Sequence, residues 1–194
     1  MLGRQAKALT SSQARAVILH LAGTRNPVRN RLIFLLSVKA GLRAKEIAGL
    51  TWRMVTDAQG EIARDLRLEN SASKGNSGGV IALNSELADA LKQWRERCWV
   101  LDGNTHIIST ERSKTTSSQV IVNLFRDWYR DLGFEGCSSH SGRRTFITGA
   151  ARKISSVGGS LRDVQALARH SSLSMTQRYI EADAEAQRRV VELI

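Results

Sequence analysis

Residues 170–180 read HSSLSMTQRYI. The stretch contains His170, one of four histidines in the chain, and Tyr179, one of two tyrosines, nine positions later. Arg178 directly precedes the tyrosine. Taken alone the segment is ambiguous. A single histidine at a helix end is usually a packing or capping residue, and most tyrosines pack half-buried. What this stretch does, and which fold it belongs to, depends on positively charged residues far upstream.

The chain has 194 residues, of which 42% are hydrophobic, enough for a single domain with its own core. Lys and Arg outnumber Asp and Glu by 29 to 18, a formal charge of +11. A surplus of that size favours a polyanionic partner, nucleic acid first and an acidic membrane surface second. The start, MLGRQAKALTSSQ, is polar and lacks the apolar core of a signal peptide. The longest strictly apolar run, Leu32 to Leu36, is far too short to span a membrane. Cys98 and Cys137 have no metal-ligand spacing and read as free thiols of a reducing compartment. A cytoplasmic protein without a membrane partner is expected.

Local patterns predict a mainly α chain around one small antiparallel β-sheet. In LTSSQARAVILHLAG, Thr10 caps a helix, Gln13 completes a capping box, Ala14, Val17, Ile18 and Leu21 face inward, and Gly23 ends it. Asn26-Pro27 opens a largely buried second helix that Gly41 ends. A short helix over Ala44 to Gly49 follows. GEIARDLRLE and GGVIAL read as strands, and the NSASKGNSG between them reads as an exposed turn. Helical periodicity returns at Ser85 to Trp94 and at Ser118 to Leu132, where Val120, Ile121, Leu124, Phe125 and Trp128 share a side. Tyr129, beside Trp128, is expected to pack. Further helices fit Arg144 to Ile154, Leu161 to Ala168 and the amphipathic tail from Asp183 to Ile194.

Six residues scattered through this frame could share one task. Arg43 follows a helix-ending glycine in AGLRAKEIAGL, Lys74 sits in the polar turn, His140 and Arg143 stand three apart at a helix start in SSHSGRRTF, and His170 and Tyr179 close the set. Each taken singly reads as a solvated charge, a cap or a packing residue. Together they supply what phosphoryl transfer through a tyrosine needs. Guanidinium forks match phosphate oxygens, and a phenol needs a base or a cationic field before it attacks. No acidic cluster suitable for Mg²⁺ is present, so cationic side chains have to supply the stabilisation. A lysine on a hairpin turn can protonate a leaving oxygen.

The ordered pattern AGLRAKEIAGL, lysine in a β-turn, HSGRRTF and ARHSSLSMTQRYI resembles the tyrosine recombinase, or phage-integrase-like, family from about Leu9 to Ile180. The resemblance implies that family's catalytic-domain fold and site-specific DNA recombination. Arg43 and Arg143 would hold the scissile phosphate, and Lys74 would be the general acid for the 5′-hydroxyl. His140 would assist as general base, and His170 would hydrogen-bond a phosphate oxygen. Tyr179 would attack to form a 3′-phosphotyrosine link, and Glu46 would support the first arginine without chemistry of its own. Since the covalent link conserves the bond energy, no cofactor or metal is implied. The implied partner is double-stranded DNA, with a homotetramer on DNA, a monomer or weak oligomer when free, an accessory DNA-bending protein, and nucleoid association when bound. The family exchanges its last helix or tail between neighbours, and Ala184 to Ile194 could serve. Residues 1–194 would be one catalytic domain without the family's amino-terminal DNA clamp.

Two positions depart from the family's habit of leucine and glycine. Gly142 removes an apolar anchor between His140 and Arg143 and is expected to loosen their geometry. Arg169 adds charge beside His170, directed at a neighbouring phosphate or at solvent. Two other functions share parts of the pattern: a type IB topoisomerase and a DNA-binding regulator that no longer cleaves. The context of Arg43 and HSGRRTF resembles integrases more closely than topoisomerases, and retention of all six residues speaks against the regulator.

Overall fold

The computed structural model describes residues 5–73, 78–98, 102–110, 113–179 and 191–192. Helix α1, Ser11–Ala22, begins with the expected capping box: the Gln13 amide donates to the Thr10 hydroxyl at 3.2 Å, and the Thr10 amide donates to the Gln13 side chain at 3.0 Å. Val17 and Leu21 are its buried positions, with Ala14 and Ile18 packed at the margin. Helix α2, Pro27–Ala40, has proline in its first turn, though the Asn26 side chain makes no capping bond. It runs through the middle of the protein, with Leu32 to Leu36 all fully buried.

Gly41 ends α2 in the left-handed conformation (φ 63°, ψ 24°), its amide donating back to Leu36. Helix α3, Ala44–Ala48, follows after only two more residues. Strands β1, Asp65–Leu68, and β2, Gly79–Ala82, pair antiparallel with Leu66 opposite Ile81 and Leu68 opposite Gly79. The alternation puts Leu66, Leu68 and Ile81 into the core and leaves Val80 outside. The strands are shorter than the apolar runs suggested.

Helix α4, Ser85–Arg95, is capped by the Asn84 side chain, and α5, Ser118–Asp131, by Ser117. The buried stripe of α5 is Ile121, Phe125, Trp128 and Tyr129; Val120 is 41% exposed and turns away from it. Helix α6, Ser141–Lys153, begins three residues before the predicted Arg144, because His140 takes the N-cap position and the serine hydroxyls around it satisfy the turn. Helix α7, Leu161–Ala168, has the predicted bounds, and α8, Leu173–Gln177, completes the described elements. The amphipathic tail over residues 183–194 lies outside the described residues except for 191–192.

The apolar interior has two parts. The larger gathers α1 to α5 and the hairpin; the smaller is Ile147, Val164 and Ala168, with Phe146, Leu161 and Tyr179 packed on it. Helices α2 and α6 join the two. Their close approach explains Gly142: a Cβ there would lie 2.2 Å from Ser37 Oγ, 2.8 Å from Ser37 Cβ and 3.1 Å from Val38 Cγ1. The glycine therefore leaves no slack beside Arg143, contrary to the expectation from sequence. Ser37 and Val38 of α2 occupy the space a larger side chain would need. Among the described residues, no helix is long and apolar enough to cross a membrane.

Candidate active site

Arg43, His140, Arg143, His170 and Tyr179 line one open cavity of about 390 Å³ at the seam between the two apolar clusters, together with Gln5, Arg144 and Arg178. Each arrives from a different local device. Arg43 precedes α3 by one residue. Its amide donates to Glu46 Oε2 at 2.9 Å and its guanidinium to Glu46 Oε1 at 2.8 Å. The Glu46 side chain is fully buried, so both carboxylate oxygens need strong donors, and Arg43 is held on that account.

Arg143, on the first turn of α6, is 5% exposed. It donates to the Gly41 carbonyl at 2.6 Å and also to the Ala168 carbonyl at the end of α7. Gly41 thus stops α2 and anchors Arg143 in the same few atoms, and its own Cβ, if present, would lie 2.6 Å from Phe146 Cδ1. Burial, then the nearby Arg43 charge, lowers the Arg143 pKa to about 10, which still leaves it charged at neutral pH. A guanidinium has five N–H donors, so several remain for an anion in the cavity.

His170 stands two residues beyond the end of α7 and is 7% exposed. Its Nδ1 lies 3.0 Å from the hydroxyl of Thr176, which is fully buried. Burial first, and then Arg143, Arg43 and Arg169, push its pKa down to about 4. The imidazole is therefore neutral at pH 7. An unfolded histidine, with a pKa of about 6.5, takes up a proton that the folded one refuses. Folding stability should then decline as pH falls from about 6.5 towards 4, by at most about 1.4 kcal/mol per pH unit from this group. Thermal melts at pH 7, 6 and 5 should show that loss, and His170→Gln should flatten it; an equal slope in both proteins would count against the assignment.

Tyr179 stands two residues beyond α8. Its ring stacks on His170, with centroids 5.4 Å apart and planes 28° apart, and the Arg144 guanidinium lies 5.8 Å from the ring centre. The Tyr179 carbonyl accepts from Thr148 of α6 at 3.3 Å. Helix α8 returns the chain so that His170 and Tyr179 meet face to face.

Lys74 lies outside the described residues; Ser73 and Gly78 are the described residues that flank it in sequence. Lys45 Nζ of α3 donates to the Ser73 carbonyl at 3.3 Å, and the Gly78 amide donates to Asn70 Oδ1 at 3.0 Å. Among the described residues no cluster of His, Cys, Asp or Glu could hold a metal ion.

The sequence profile of the phage integrase family matches residues 7–186. The chain belongs to the phage integrase family. A tyrosine recombinase XerA from Thermococcus kodakarensis is 28% identical over 189 residues, covering 96% of this chain and 62% of that protein. The chain thus spans less than two thirds of the length of that relative. Its fold matches the crystal structure of XerA recombinase with a TM-score of 0.73 at 20% identity, over 100% of this chain and 65% of that one. It also matches XerH site-specific recombinase bound to difH substrate in a pre-cleavage complex, with a TM-score of 0.72 at 18% identity, over 98% of this chain and 55% of that one. The catalytic-domain fold expected from the motif order is therefore the fold observed.

Four residues that support the candidate site could not be given that part from the sequence: Thr176, Lys45, Asn70 and Arg169. Thr176 orients His170 from within the SMTQ run, where nothing local distinguishes it from the serines. Lys45 and Asn70 hold Ser73 and Gly78, yet in sequence they look like a solvated lysine and a turn asparagine. Arg169 was expected at phosphate or solvent. Its side chain is instead 5% exposed and donates to Glu46 Oε2 at 2.8 Å.

Proposed function

We propose that this chain is the strand-cleaving part of a site-specific DNA recombinase, acting in the cytoplasm on double-stranded DNA. Residues 1–194 form one catalytic domain in this reading. The observation that carries it is the meeting of Arg43, the pair His140 and Arg143, and the pair His170 and Tyr179 on one cavity, although these three groups come from distant parts of the sequence.

The scissile phosphate sits between Arg43 and Arg143, whose forks neutralise its oxygens without a metal. His170, neutral and with Nδ1 engaged by Thr176, offers its other ring nitrogen to a phosphate oxygen when the Thr176 hydroxyl donates to Nδ1. The Tyr179 phenolic oxygen loses its proton with help from His140 and attacks phosphorus. The bond from phosphorus to the 5′-oxygen breaks, and Lys74 protonates that oxygen. A 3′-phosphotyrosine ester remains. Attack on it by a 5′-hydroxyl, from the same or another strand, releases Tyr179 and restores the phosphodiester, so no energy source is consumed. Exchange between two sites calls for four such centres, hence a homotetramer on DNA.

The test is a DNA substrate nicked close to the cleavage position, so that the short fragment carrying the new 5′-hydroxyl diffuses away and the ester is trapped. With DNA captured from the source genome as substrate, a covalent adduct should form without added metal, and mass spectrometry should place the nucleotide on Tyr179. Binding to that DNA with no adduct would favour the non-cleaving regulator.

A further inference from the structure

Arg169 is costly where it stands. It is the one non-glycine residue with positive φ among those described (52°), a conformation that strains any side chain bearing a Cβ. Its Nε and Nη1 are buried and have no hydrogen-bond partner among the described residues. A glycine would remove both penalties. What the arginine adds is a bond between parts of the site: Nη2 reaches across 123 positions to Glu46 Oε2, the same oxygen that accepts the Arg43 amide. The aliphatic stem lies against the hairpin, with Cδ 3.3 Å from where a Cβ on Gly79 would be. Gly79 opens β2, five positions after Lys74 in sequence. His170 is the next residue in the chain.

We propose that Arg169 is a positioning residue for strand cleavage, acting through its buried ion pair with Glu46 to fix how Arg43 is presented, and through its stem to fix the start of β2 at Gly79 relative to His170. This rests on the cleavage reading above for its effect on rate, but not for its effect on Arg43. Glu46 has two cationic partners, Arg43 and Arg169, and removing the second frees the carboxylate to follow the first. A displacement of about 1 Å at a catalytic group costs on the order of 100-fold in rate.

The test uses Arg169→Gly, which relieves the backbone strain, alongside Arg169→Lys, which keeps a charge able to reach Glu46. On the nicked substrate at saturating DNA, Arg169→Gly should slow adduct formation by about 10- to 100-fold. Affinity should stay within about twofold, and the melting temperature within a few degrees. Arg169→Lys should recover part of the rate. Glu46→Gln combined with Arg169→Gly should be no slower than the worse single variant, because both break one connection. In the DNA-free protein, the Arg43 side-chain N–H signal in NMR should be sharp in the native chain and averaged in Arg169→Gly. An unchanged Arg43 signal would overturn the proposal whatever the DNA reaction does. So would a native rate in Arg169→Gly, or weaker binding with a salt slope reduced by about one and an unchanged rate at saturation, the mark of a phosphate contact. A native chain that forms no adduct, while its Arg43 signal still depends on Arg169, sinks the cleavage reading and upholds the positioning role.

Discussion

Tyr179→Phe should abolish the covalent DNA adduct, by on the order of 10⁴-fold or more, while leaving the fold and the DNA affinity in place. Deleting a nucleophile typically costs that much because no other group can form the bond. The phenylalanine keeps what holds the segment together. The ring still stacks on His170 and meets Arg144, and the backbone carbonyl still accepts from Thr148. Nor can the other tyrosine substitute. Tyr129 is 1% exposed, its ring centre lies 5.9 Å from that of Phe125 and 6.5 Å from that of Phe134, and burial pushes its phenol pKa well up. Gel shift and adduct assays on the same preparation separate binding from cleavage. Adduct at the native rate in Tyr179→Phe would remove Tyr179 from the reaction.

The second large effect concerns packing. Gly142→Ala should destabilise the protein by about 2–3 kcal/mol, lowering the melting temperature by roughly 5–10 °C, and Gly142→Leu by more. The added Cβ would overlap Ser37 Oγ and crowd Ser37 Cβ, and both belong to a helix core that cannot retreat. Since Arg143 is the next residue and binds carbonyls on both sides of the seam, any parting of α2 and α6 also disturbs the cavity. Ser37→Gly removes the two nearest atoms. In the native background it should destabilise by about 0.5–1 kcal/mol, the usual cost of a mid-helix glycine. In the Gly142→Ala background it should stabilise. That reversal of sign is the signature of direct contact, and simple additivity of the two changes would refute it.

Much of the frame was legible locally. The Thr10–Gln13 capping box, Pro27 in the first turn, Gly41 at the α2 terminus and the bounds of α7 are backbone devices written within a few residues of where they act. Arg43, His140, Arg143, His170 and Tyr179 could be grouped as candidates because they stand in an order and in contexts characteristic of one family, and the fold brings all five to one cavity. The purpose of Gly142 and Arg169 was not legible. Gly142 was read as a missing anchor and is a close-packing position against Ser37; Arg169 was read as a charge directed at a neighbouring phosphate or at solvent and is a buried ion-pair partner of Glu46.

Sequence alone, then, placed most helix ends to within a few residues and most apolar faces, and it picked out a set of side chains with the chemistry for phosphoryl transfer. Those properties depend on periodicity, caps and the chemistry of individual residues, all of them short-range. Tertiary structure decided what each of those side chains touches. Arg143 finds its carbonyl 102 positions away at Gly41, and Arg169 finds its carboxylate 123 positions away. Such pairings arise only when α6 and α7 dock on α2 and α3, since the destination of a long side chain is set by the surfaces that close around it and not by its neighbours in the chain.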